Sequence, residues 1–373
     1  MKKIFLLLIV MLCIVGCGKE GKESVLKDFT NKINNASSYV LEGSMEISND
    51  EETFTYSLES YYKKDNYYKV ILVNQTNNHE QIILKNNNDI YVITPSLNKS
   101  FKFQSDWPNN SSQAYLLGNI VNDIKNDTKA EISERDNGYI IKSGVNYPNN
   151  EELKYQKIYL DNNKNVERVE VFNDSDIVKI KVVFSKIKLN ENINKDEFNL
   201  NNYVKEEEKI DNKKENEQSN NTNNENIDNN KDICEENTNN EECQNNNELN
   251  EEDKKTANIE NIIYPLYIPS NTFLSSSEKI DTEFGNRVIL TFSGEKNFVL
   301  IEEVSIKKDE MEIVPVYGEP LLLTESIGAL SANSLSWDAN NISYYLASTE
   351  LSVNEMQSIA NSLGNEILVN KEK

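Results

Sequence analysis

Four residues near the start, Ile14-Val15-Gly16-Cys17, have the types and spacing for covalent chemistry on a thiol. They follow Met1-Lys2-Lys3 and an uncharged run from Ile4 to Val15. Two cations, a short apolar run and a small residue make a secretory signal. The run is shorter than the about 20 apolar residues needed to cross a bilayer. A branched apolar residue three places before the cysteine, and glycine directly before it, suit a lipoprotein cleavage site. A diacylglyceryl group is placed on the Cys17 thiol, the Gly16–Cys17 bond is cut, and Cys17 becomes the new N-terminus. Residues 1–16 are then a signal peptide and 17–21 a tether. The rest of the chain is held by lipid on the extracytoplasmic face of the cell membrane. The alternative is an uncleaved signal in which Cys17 is incidental.

Other chemistry is sparse. Cys234 and Cys243 can form a disulfide outside the cytoplasm, although free thiols fit the same stretch. With no CxxC pair and no neighbouring histidine, they do not make a metal site. His79 is the single histidine and sits in the polar run Asn77-Asn78-His79-Glu80, read as a solvated turn. The 12 glycines are scattered without the spacing of a phosphate-cradling loop. Ser276 and Ser277 read as a polar turn without a nucleophile elbow, and the pairs Glu302-Glu303 and Glu151-Glu152 read as solvated. No enzyme activity, cofactor or metal is expected.

The 373 residues carry a net charge of −23 and only 37% hydrophobic residues. Binding to nucleic acid, driven by lysine and arginine on phosphates, does not suit this balance. Nor does lying flat on an anionic membrane. Membrane attachment must come from the lipid, where each buried CH₂ contributes about 0.8 kcal/mol.

The elements that would position any site divide the chain. Lys22–Asn35 reads as a helix with Val25, Leu26, Phe29 and Ile33 on one face. Tyr39–Ser48, Thr53–Tyr62, Tyr67–Val73, Gln81–Leu84 and Ile90–Thr94 follow as alternating strands, and Phe101 and Phe103 lie beyond Pro95. Ser111–Ile124 has helical spacing. Strands resume at Lys129–Ser133, Tyr139–Lys142, Leu153–Leu160, Val166–Phe172 and Ile177–Leu189. Residues 22–204 therefore make an antiparallel sheet of about ten strands. A sheet that size must curl to hide its apolar face, as in a half-open barrel with helices in its mouth. Residues 205–257 are different: positions 205–256 hold 16 Asn, 17 Asp or Glu and 7 Lys. Too little apolar surface is available there to offset ordering entropy, so a disordered acidic linker is expected. Residues 258–370 read as a small α+β domain. Its strands are expected at Arg287–Ser293, Asn297–Glu302, Glu312–Tyr317, Leu335–Trp337 and Ile342–Ala347. Ser352 and Glu355 then make a capping box, Leu351 and Met356 a staple, and Gly364 a C-terminal stop. The fold class is α+β.

Aromatic residues are the richest feature of the first domain. Tyr56, Tyr62, Tyr68 and Tyr91 are candidates to line a curved apolar cleft, with Trp107 at its rim. Such a cleft suits an acyl chain or a partner's peptide. The bland alternative is a sheet packing its own helices.

Three features together resemble a known family. They are the lipoprotein site at Cys17, the sheet from Tyr39 to Val204 with its inserted helix, and the pattern Trp337, Tyr344-Tyr345-Leu346, Glu355, Ile359-Ala360, Ser362-Leu363. The chain resembles the LolA/RseB-like sporulation lipoproteins of spore-forming Firmicutes, to which the clostridial germination lipoprotein GerS is similar. The resemblance implies a LolA-like half-barrel and a C-terminal domain of a regulatory type. It also implies an envelope or spore-cortex protein as partner, and no catalytic residue. The expected role is a non-catalytic adapter or regulator in sporulation or germination. A lipid or lipoprotein carrier is the alternative, although a carrier shuttles and a chain fixed at Cys17 does not.

Overall fold

The computed structural model describes residues 21–49, 52–87, 89–203 and 258–363. Cys17, Cys234, Cys243 and the expected linker lie outside the described residues, as does Gly364. The described residues belong to one compact unit.

Helix α1 (Lys22–Asn34) buries Val25, Phe29, Thr30 and Ile33, the stripe its spacing dictates. The chain then meanders through β1 (Ser38–Ser48), β2 (Thr53–Lys63), β3 (Tyr67–Asn74), β4 (Glu80–Asn86), β5 (Asp89–Thr94) and β6 (Lys99–Phe103). Tight connections close the hairpins, with left-handed Asp65 and Asn66 between β2 and β3 and Asn87 between β4 and β5. Helix α2 (Leu117–Asn126) interrupts. It begins later than its apolar spacing suggests, because residues 110–116 form a loop tied to neighbouring segments by hydrogen bonds. Strands β7 (Glu131–Arg135), β8 (Gly138–Gly144), β9 (Leu153–Leu160), β10 (Val166–Asn173) and β11 (Val178–Leu189) complete the meander. β11 returns to pair with β1, antiparallel, with a bulge at Glu42/Gly43. A Cβ on Gly43 would run into the Val183 carbonyl, so this crossing requires glycine.

Beyond residue 258 lie β12 (Thr272–Thr282), β13 (Gly285–Gly294), β14 (Phe298–Val304), β15 (Glu312–Val316), β16 (Gly318–Leu322), β17 (Ile327–Ser331), β18 (Ser334–Ala339), β19 (Ile342–Ala347) and helix α3 (Val353–Asn361). Seven of these strands form a second sheet, in the order β12-β13-β14-β19-β18-β17-β16. β15 leaves it and pairs parallel with β6, making the first sheet 12-stranded with open edges at β15 and β7. The architecture is mostly sheet with few helices, and the large sheet does not close. Ser352 caps α3 by accepting from Glu355 N while the Glu355 side chain accepts from Ser352 N, and the staple residues Leu351 and Met356 are both buried.

Several expectations need correction. Ser276 and Ser277 lie inside β12, not in a turn. β12, β16 and β17 carry no strong alternation of apolar residues, so they escaped a reading by hydropathy. Glu302 is buried, not solvated, on the face of β14 that carries Phe298 and Leu300. One of its oxygens accepts from Ile263 N at 3.2 Å, and the other is buried without a hydrogen-bond partner among the described residues. Burial pushes its carboxyl up to about 7. The folded form therefore holds a proton that the unfolded chain releases above about pH 4.5. Stability is lost as pH rises between those values. The Glu302→Gln variant removes that dependence: relative to wild type it gains about 2–3 kcal/mol on going from pH 5 to pH 8. Urea unfolding at both pH values checks this, and equal pH slopes for the two proteins would reject it.

Candidate functional site

The inner face of the large sheet packs on the two helices. Phe29 and Ile33 of α1 and Leu117, Ile120, Val121 and Ile124 of α2 share one core with Leu41, Leu58, Val70 and Val169 of the sheet. Ile327 and Ala329 of β17 enter the same core from the second sheet. The inner face is thus filled by the protein's own side chains.

Open space remains at the mouth, as a cleft of about 810 Å³. One wall comes from residues 111–115 and 147–154 with Trp107 and Ile180. The other comes from Leu266, Tyr267, residues 319–324 and α3, which presents Asn354, Gln357, Ser358 and Asn361. Hydrogen bonds set each wall. Ser112 Oγ donates to Asp123 at 2.8 Å and accepts from Asn146 N at 2.7 Å, and Gln156 donates to the other Asp123 oxygen at 2.9 Å. One carboxylate on α2 therefore clamps both loops of the first wall. Burial raises Asp123 to about 6, against the pull of the Ser112 and Gln156 donors. Gln357 donates to Leu322 O at 3.0 Å, and Asn361 accepts from Thr324 N at 3.0 Å, fixing the second wall to α3.

The walls are joined across the mouth. Asn110 and Asn149 both donate to Glu319. The Gln81 amide pairs with the backbone of Ile327, donating to its carbonyl at 3.3 Å and accepting from its N–H at 2.5 Å. Tyr56 OH donates to Thr324 O. These contacts hold the width of the cleft.

The five aromatic candidates separate. Tyr39, Tyr62, Tyr68 and Trp107 form a ladder on the inner face, with ring centroids 4.8, 5.1 and 5.9 Å apart. Tyr56 lies in the same core. Trp107 is only 2% exposed and is the one of the five that lines the cleft. Its carbonyl accepts from buried Lys85, and Asn119 on α2 donates to the carbonyl of Pro108 at 2.5 Å. Tyr91 falls on the opposite face with Ile82, Leu84, Ile93 and Phe198. Pleat parity dictates this: Lys85 pairs with both Tyr68 and Ile90, so Tyr68 shares a face with Ile90 and not with Tyr91.

Amides and hydroxyls from both walls offer donors and acceptors beside Trp107, Tyr115, Tyr147 and Tyr267. Among the described residues the lining includes neither histidine nor cysteine. His79 lies just before β4, partly buried and not solvated, with Nε2 lacking a partner among the described residues. Burial lowers its pKa. No group of three metal-ligating side chains occurs among the described residues. Residues 319–324, Gln357 and Asn361 carry no sequence signal as a site, because only the fold brings α3 to the mouth of the first sheet.

The fold and the cleft define a two-sheet scaffold, with one sheet open and its mouth walled by the other. The chain belongs to the Sporulation protein YdcC-like family, whose model matches residues 1–198. It is 32% identical to Sporulation protein YdcC of Bacillus subtilis (strain 168) over 358 residues, covering 95% of this chain and 94% of that one. Among solved structures it is similar to the MucA/MucB complex of Pseudomonas aeruginosa, with 9% identity, a TM-score of 0.30, and 91% and 98% of the two chains covered. A LolA superfamily protein from Nitrosomonas europaea matches with 10% identity and a TM-score of 0.30, over 49% of this chain and 100% of the other.

Proposed function

We propose that this protein is a lipid-anchored, extracytoplasmic, non-catalytic adapter or regulator in sporulation, and that its cleft holds a segment of an envelope protein partner. The observation that carries the reading is the cleft itself, an open groove of about 810 Å³ whose two walls come from two sheets and are cross-braced by hydrogen bonds. A braced groove keeps its shape before a partner arrives, which lowers the entropy lost on binding. Family membership supports the sporulation setting, and the lipoprotein site at Cys17 supports the location. The acyl-carrier reading needs a free apolar face. Here that face is packed against α1, α2 and Ile327.

Ser358 tests the site, because it lines the cleft from α3 and is partly exposed. Ser358→Trp fills the groove without removing a core side chain. Its urea midpoint should stay close to wild type, while heat-resistant spore counts fall about tenfold or more, the loss that goes with about 1.4 kcal/mol of binding. Wild-type spore counts from cells carrying the stably folded variant would refute the cleft as the site.

A further inference from the structure

Exposed apolar surface is unevenly spread. Of the 13 large hydrophobic residues exposed among the described residues, 12 lie beyond residue 258, and Ile177 is the exception. Several of them cluster on one edge of the second sheet. β12 is an 11-residue edge strand, exposed along both faces, with Phe273 at 62%, Ile280 at 44% and Phe284, just beyond it, at 51% exposure. Its register continues an outward row: Glu278 lies beside Ile289, then Ile301, then Tyr345. That side of the sheet faces away from the core containing α3. A long edge with no strand paired to it among the described residues offers a row of backbone donors and acceptors, a template for another strand.

Charge selects among occupants. Glu278, Asp281 and Glu283 stand on or just past the strand with no ion pair among the described residues, in a chain of net charge −23. A second copy would bring like charges together. An anionic bilayer is repelled in the same way. We propose that β12 docks an extended, cationic strand of a partner protein by edge addition, with the partner's apolar residues on Phe273 and Ile280 and a basic residue at Glu278. This surface is separate from the cleft and stands without it.

The test uses the full chain and a fluorescent decapeptide alternating lysine and valine, with a glutamate–valine decapeptide as control. The lysine peptide should bind and slow amide exchange across residues 272–282. The double variant Phe273→Ser with Ile280→Ser, both at exposed positions, should weaken it about tenfold with an unchanged circular dichroism spectrum. Glu278→Lys should shift preference toward the glutamate peptide. Protection confined to residues 111–115 and 147–154 would place the peptide in the cleft and overturn the assignment. Unchanged affinity in the double variant would also overturn it. So would a dimer in sedimentation that the double variant abolishes, or flotation with neutral phosphatidylcholine vesicles that it abolishes.

Discussion

Replacing Lys99 by alanine will lower the free energy of unfolding by about 3–5 kcal/mol, the cost of breaking a buried ion pair from one side. Lys99 opens β6, and its Nζ lies 3.0 Å from both oxygens of Asp338 on β18. The Asp338 side chain is 1% exposed. Ser343 Oγ also donates to it, and Ser305 Oγ reaches it at 3.5 Å. Without the lysine, a carboxylate remains buried with hydroxyl donors alone. The pair also joins the two sheets beside the β15–β6 ladder, where Asn98 donates to Lys308 O at 2.6 Å and Glu312 N donates to Asn98 O at 2.8 Å. The loss should therefore be felt on both sides of the seam. The two tryptophans sit one in each sheet's core. Single-tryptophan variants retaining Trp107 or Trp337 should report coincident urea transitions, and Lys99→Ala should shift both by about 1 M or more. Lys99→Met combined with Asp338→Leu should recover most of the loss. A loss below 1 kcal/mol would mean the pair behaves as an exposed one.

On the proposed reading, in which lipid on Cys17 holds the protein, the Cys17→Ser substitution will leave the chain without its anchor. A serine hydroxyl cannot become the diacylglyceryl thioether, so the modification does not occur and the bond after Gly16 stays intact. The expected product is the full-length precursor, longer than the mature chain by residues 1–16. It should be absent from the lipid-labelled fraction and retain the signal run Ile4–Val15. Two acyl chains anchor stably, whereas the 12-residue run is too short to span. Sporulation should fail with Cys17→Ser even though the described fold, which begins at residue 21, retains its native stability. Labelling with a radioactive fatty acid and mass measurement of the N-terminus check this. A Cys17→Ser chain that is cleaved normally and still carries acyl label would refute the anchor.

Local pattern made much of the first sheet legible. Alternation in Thr53–Lys63 and Tyr67–Asn74 follows from the two-residue pleat, and the capping box at Ser352 and Glu355 is a contact between neighbours. The same parity, applied across β3, β4 and β5, would have sent Tyr91 to the other face of the sheet. What the sequence by itself determined is therefore whatever is short-range: the α1 and α3 stripes and the meander. The tertiary structure alone decided the rest. Only long-range packing brings Ile327 into the first core, moves β15 to β6 and buries Glu302 and Asp338, because burial belongs to distant segments meeting and leaves no mark in the periodicity of either. The cleft is of that kind: its walls are 111–115, 147–154, 319–324 and α3, segments joined by no shared pattern, and it exists because Glu319, Gln81 and Tyr56 hold them together.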